Sequence, residues 1–232
     1  MTKCFISHTW HEGEHDFAIR LADALRANGV DVWLDEEQIH GGQLVEQRMR
    51  TGVIHECDVF LFVLSPASLK SQPCTIEREE ALKYRVETGL QIIPILLKNC
   101  QIPQNLQDLL YVDFRNEGRF DESVGQLLPS IEAASRIRSL VVQLIDGDAD
   151  SRAEAAQHLG NLRNPFTLPI LARRLSKDSD PTVRYWLAFA LGQIGGEEAI
   201  MALKEAKKRE PHPFVLLGIE DGLREAGHPT TL

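Results

Sequence analysis

Val59-Phe60-Leu61-Phe62-Val63-Leu64, closed by Ser65-Pro66, is an apolar run without a break. A strand with one wet face alternates apolar and polar side chains. An unbroken run therefore describes a strand covered on both faces, as in a parallel sheet flanked by helices. The neighbouring stretches repeat the theme. Upstream, residues 3–7 form a short strand around Phe5 and Ile6, and residues 30–34 a second that ends at Asp35. Downstream, 91–97 is another apolar strand and 111–114 a short fifth. Helical segments lie between them. Over 14–28, Phe17, Leu21, Ala24 and Leu25 recur on one face and Gly29 stops the helix; further helices are expected at 44–55, at 75–87 closing at Gly89, and at 122–134. Strands alternating with helices over short connections predict an α/β unit with a five-stranded parallel sheet and right-handed crossovers.

Ligands of such sheets bind beyond the carboxyl ends of the strands. Here those ends carry Ser7-His8-Thr9, Asp35, Ser65-Pro66 and Lys98, so polar residues gather where a site is expected. No glycine-rich phosphate loop follows the first strand, which speaks against a flavin- or phosphate-binding protein of this architecture.

Charge divides the chain. Overall, 25 Lys and Arg face 34 Asp and Glu, a net charge of −9. Residues 1–134 hold 12 basic against 21 acidic side chains, whereas 135–232 hold 13 of each, so all the acidity belongs to the first part. This shift places a domain boundary between 134 and 135. It also argues against nucleic acid as a partner, because an acidic domain repels phosphate backbones. No stretch has the length and apolarity of a membrane span, and Met1-Thr2-Lys3-Cys4-Phe5 does not begin a secretory leader, so a cytoplasmic protein without a membrane association is expected. Cys4, Cys57, Cys74 and Cys100 stand apart, with no Cys-x-x-Cys pair, and read as reduced, packed thiols. His8, His11 and His15 recur at helical spacing, but no further ligand completes a metal set; no metal is expected.

The second part repeats itself. Asp148-Ala149-Asp150-Ser151-Arg152 through Leu159-Gly160 aligns with Asp180-Pro181-Thr182-Val183-Arg184 through Leu191-Gly192, and a degenerate third copy runs from His212-Pro213 to Leu223, all at an offset of 32 residues. Partner helices are expected at 166–176 and 197–209. A fixed period of this length means stacked helix pairs. The pattern resembles HEAT repeats, more narrowly the short phycobilin-lyase-like class, and predicts a short all-α solenoid. Arg152 and Arg184 recur at one position and are expected to form a ladder with aspartates such as Asp180, with Leu216 in their place in the last copy.

Four segments of the first part, in order, resemble the TIR family, whose fold is flavodoxin-like. Phe5-Ile6-Ser7-His8 is similar to the opening box. Val32-Trp33-Leu34-Asp35 with Ile39-His40-Gly41-Gly42 is similar to the second strand and the BB loop. Leu64-Ser65-Pro66 with Ser71-Gln72-Pro73-Cys74-Thr75-Ile76-Glu77 resembles the third strand end and the start of the catalytic helix, and Ile92-Ile93-Pro94-Ile95 the fourth strand.

The resemblance implies one of two activities. Some TIR domains cleave NAD between nicotinamide and ribose; others only dock onto one another as signalling scaffolds. The enzymes carry a glutamate three residues after the box cysteine, and Glu77 occupies that position. NAD then enters as substrate, with no separate cofactor. Ser7, His8, Thr9, Trp33, Asp35, Gly42, Leu44, Ser65 and Pro73 are the expected substrate-binding residues around it. Each also has a plain structural role open to it, as cap, turn or core residue. Two departures stand out: Pro73 replaces the tryptophan that many NAD-cleaving members carry four residues before the glutamate, and Gly41-Gly42 replaces Pro-Gly in the loop, followed by Leu44 instead of an aromatic. A looser loop implies low activity until assembly or a ligand orders it. The family further implies homo-oligomers through the TIR domain, a protein partner on the repeats, and a role among bacterial anti-phage or stress effectors.

Overall fold

The computed structural model describes residues 1–11, 13–34 and 54–227. They form two compact units, Met1–Arg85 with Leu90–Arg136 and Val86–Gly89 with Ile137–Leu232.

In the first unit, strands β1 (Lys3–Ser7), β2 (Asp31–Leu34), β3 (Val59–Leu64), β4 (Gln91–Leu96) and β5 (Val112–Asp113) lie in the order β2-β1-β3-β4-β5, each pair parallel. The β3 run is central, and all of it is buried. Helices α1 (Glu14–Ala27), α2 (Gln72–Thr88) and α3 (Phe120–Asp146) accompany the sheet. Ala18, Leu21, Ala22 and Leu25 of α1 pack with Cys4, Ile6, Leu61 and Ile95 on one face, together with Val124, Leu127 and Ile131 of α3. On the other face Phe5, Phe60 and Phe62 stack in sequence, at 5.6 and 6.3 Å between centroids. Register puts Ser7 opposite Phe62 and Leu64 opposite Leu96, so the carboxyl ends of β1, β3 and β4 share one edge.

Three elements differ from the sequence reading. Helix α2 begins at Gln72, not at 75, because Ser71 Oγ accepts the Cys74 N–H at 3.4 Å and caps it. Pro73 thus falls in the first turn, where its missing N–H leaves no bond unmade. Helix α3 does not stop at 134 but continues to Asp146, through Pro129. Its apolar stripe explains this: Leu127, Ile131, Ala134, Ile137, Val141 and Leu144, all buried, keep a spacing of three and four straight past the change in charge balance. Strand β5 holds only Val112 and Asp113. The helix expected at 44–55 lies outside the described residues except at its end, where 54–56 are helical.

The second unit holds α4 (Ala149–Leu162), α5 (Leu168–Leu175), α6 (Pro181–Ile194), α7 (Gly196–Arg209) and α8 (Pro213–Glu225). The repeat is visible in its details. Asp148 accepts the Ser151 N–H and Asp180 those of Thr182 and Val183, capping α4 and α6 alike, whereas His212 makes no such bond at α8. The seam between these helices is made by glycines: Gly160 meets Ala190, and Gly192 meets the backbone of Gly222.

The arginine ladder exists, but its partners are other than expected. Asp180 is occupied as a cap. Arg152 instead forms a two-pronged bond to Asp178 at 2.9 and 2.8 Å, and Arg184 one to Glu210 at 3.0 and 3.0 Å. Burial pushes the Asp178 carboxyl up, but Arg152, the Asp180 N–H and the charge of Arg174 outweigh it and hold the group below its ordinary 3.8. Glu210 is likewise pushed up by burial and, on balance, held below 4.5 by Arg184, the His212 N–H and the charge of His212. A depressed carboxyl stabilises the fold above its unfolded value and ceases to do so as pH falls through its folded one. The repeat unit should therefore keep these contributions down to about pH 4.5 and lose them on further acidification, first through the unfolded-state values of 4.5 and 3.8. Urea midpoints followed by helical circular dichroism from pH 7 to 3 read this directly. A flat profile below pH 4.5 would contradict it.

Candidate functional site

Ser7 is the last residue of β1, and its hydroxyl donates to Glu77 Oε2 at 2.6 Å. Both groups are buried, with 1% and 4% of their surface exposed. Glu77 stands one turn beyond Cys74, on the same side of α2, and the Cys74 thiol donates to the His8 carbonyl at 3.2 Å. Two bonds thus fasten the opening turns of α2 to the end of β1. A carboxylate costs several kcal/mol to remove from water unless it is bonded, so an acid held here marks a built position.

His8 is buried, and its Nε2 lies 2.9 Å from His15 Nδ1, one nitrogen donating and the other accepting. The two rings join the β1 end to α1. Trp10 stacks on His15 with centroids 4.8 Å apart while 58% of its own surface stays exposed.

Thr9 does not turn to Glu77. It belongs to a second buried carboxylate that the sequence reading missed. Glu14, in the first turn of α1 and 1% exposed, accepts from Thr9 Oγ1 at 2.8 Å, from Ser65 Oγ at 2.8 Å and from Lys98 Nζ at 3.2 Å. One side chain thereby ties together the chain just beyond β1, β3 and β4. Ser65 is fully buried, and its Oγ also accepts the Ala67 and Ser68 N–H groups, so it is the hub of the turn after β3. The only hint in sequence was an acid at a helix start, which is usually a solvated residue answering the helix dipole. Glu14→Ala would leave two buried hydroxyls without their acceptor and should cost about 2–4 kcal/mol. Chemical denaturation measures it; a loss below about 0.5 kcal/mol would mean the network holds nothing.

The remaining expected residues scatter. Trp33 is half-buried on β2, in register with Phe5, and Pro73 is exposed in the first turn of α2. Asp35, Gly42 and Leu44 lie outside the described residues. The structure therefore brings together Ser7, His8 and Glu77, and separately Thr9, Ser65 and Glu14. Among the described residues no group of His, Cys, Asp and Glu has a metal-binding arrangement, and no helix is long and apolar enough to cross a membrane.

A five-stranded parallel sheet in this order, with a buried acid and hydroxyl at its carboxyl edge, defines a doubly wound α/β domain, here followed by helical repeats. Residues 4–128 match the TIR domain family and residues 137–224 match HEAT repeats. The chain belongs to the TIR domain family. Among solved structures it is similar to the TIR domain of the Toll-related receptor TRR-2 from the lower metazoan Hydra magnipapillata, with 20% identity over 56% of this chain and 97% of that one and a TM-score of 0.47. No curated protein matches it.

Proposed function

We propose that the TIR unit cleaves NAD at the nicotinamide–ribose bond, with Glu77 as its central residue. The observation that supports this most is the buried Ser7–Glu77 pair at the carboxyl edge of the sheet. The reaction asks little else of the protein. Nicotinamide in NAD is cationic and leaves neutral, taking the electron pair of the C–N bond, so no general acid is needed. The ribosyl carbon left behind carries oxocarbenium character, and an acceptor that holds the sugar hydroxyls and offsets that charge lowers the barrier. A carboxylate kept largely out of water does this well. Water adding to the ribosyl carbon and losing a proton gives ADP-ribose; attack by a nitrogen of the adenine ring gives the cyclic product instead. Self-association of TIR units would complete the cleft, and the HEAT-like repeats would supply the partner surface that governs assembly.

A second reading, a scaffold without catalysis, draws on Pro73: at the family's tryptophan position this chain presents an exposed pyrrolidine. Nicotinamide release from NAD by the concentrated full chain, with and without a crowding agent, separates the two. Release supports cleavage. Silence under both conditions favours the scaffold.

A further inference from the structure

Arg78 follows Glu77 on α2, and among the described residues it forms no ion pair. Its guanidinium carbon lies 5.6 Å from the centre of the Phe62 ring, its Nε is buried, and that nitrogen has no acceptor among the described residues. Of the neighbouring acids on α2, Glu77 accepts from Ser7, Glu80 lies 3.2 Å from His55 Nε2, and Glu79 is exposed. Leaving a buried guanidinium N–H unmet is unfavourable, and a bound water or ion is one way in which such a group is satisfied.

The surroundings fit an anion. Arg78 lines an open groove of about 520 Å³ together with Leu69, Pro103, Gln101, Gln104 and Gln107, and among the described residues no Asp or Glu lines it. In a unit whose acids outnumber its bases, that is a local reversal of sign. The groove wall is shaped: Gln107 Nε2 donates to the Ile102 carbonyl at 3.1 Å, closing the loop that carries Gln104, with Gln101 just ahead of it and both carboxamides exposed. Carboxamides donate hydrogen bonds without bringing charge, and a guanidinium presents a planar set of N–H donors matched to phosphate oxygens. The volume leaves room for a phosphate carrying an ester substituent.

We propose that this groove is a phosphate-binding site, taking either the phosphate of a nucleotide or free phosphate. The inference stands apart from NAD cleavage, since it is read by binding alone. The full chain is titrated calorimetrically with inorganic phosphate against chloride at constant ionic strength, as wild type, Arg78→Gln and Arg78→Lys. Wild type should bind with a Kd on the order of 1 mM, Arg78→Gln at least about tenfold more weakly, and Arg78→Lys in between. The thermal midpoint of Arg78→Gln without phosphate should not fall, because an unmet cation has been removed. Should that variant fail to fold, Gln104→Glu, on the exposed rim, is expected to repel phosphate to a similar degree. Equal binding by wild type and the variants, or a wild-type signal no different from chloride, overturns the proposal. ADP displacing bound phosphate would identify the ligand as a nucleotide; phosphate bound undisturbed at saturating ADP would identify a separate anion.

Discussion

Nicotinamide release by the Glu77→Gln chain should fall at least about a hundredfold below wild type, the scale seen when a group that stabilises transition-state charge is neutralised. Glutamine keeps the shape, and its carbonyl oxygen can still accept the Ser7 hydroxyl now held at 2.6 Å, so the fold has little reason to change. What disappears is the negative charge that the proposed reaction places beside the ribose. The loss should therefore appear in kcat, with KM for NAD much less affected, and the thermal midpoint should stay close to that of wild type. A variant that turns over as fast as wild type would remove Glu77 from the chemistry, even if the chain is an NAD-cleaving enzyme by some other residue.

The second large effect is one of packing. Gly192 of α6 faces Gly222 of α8, and a methyl group at Gly192 would fall inside van der Waals contact with the Gly222 carbonyl oxygen and Cα. A crowded side chain can rotate away, but backbone cannot. The helices would have to part, and the buried Leu187, Leu191, Ile219 and Leu223 would lose contact with them. Gly192→Ala should destabilise the repeat unit by at least about 3 kcal/mol, against the modest gain that alanine normally brings to a helix interior. Urea unfolding followed by helical circular dichroism decides it. A variant within about 0.5 kcal/mol of wild type would mean that the seam has room for a methyl group.

How far the sequence could be read depended on where the governing contacts lie along the chain. Strand β3 announced itself because burial on both faces is written into consecutive residues. The repeat was legible because its caps, alanines and Leu-Gly ends recur at a fixed offset. Helix α3 runs past 134 to Asp146 because its apolar stripe continues beneath a surface whose charge balance changes there. The Glu14 network left no trace in sequence: its partners stand 5, 51 and 84 residues away and meet only through the strand order. Family resemblance singled out Ser7 and Glu77 one by one, but not the bond between them, which spans 70 residues. For the arginine ladder, the recurring arginines were evident, but their acids lie 26 residues on, two positions before the next cap.

That last spacing bears on how such an array changes length over generations. Arg152 reaches Asp178, just ahead of the cap at Asp180, and Arg184 reaches Glu210, just ahead of His212. Each copy is thus riveted to the threshold of its successor. A duplication of one 32-residue module inside the array would arrive with its own cap, rivet and seam glycine, and its neighbours would need no new chemistry. The copy bearing Leu216 has no arginine to hand on, so the rivet passes only along the two copies that carry Arg152 and Arg184.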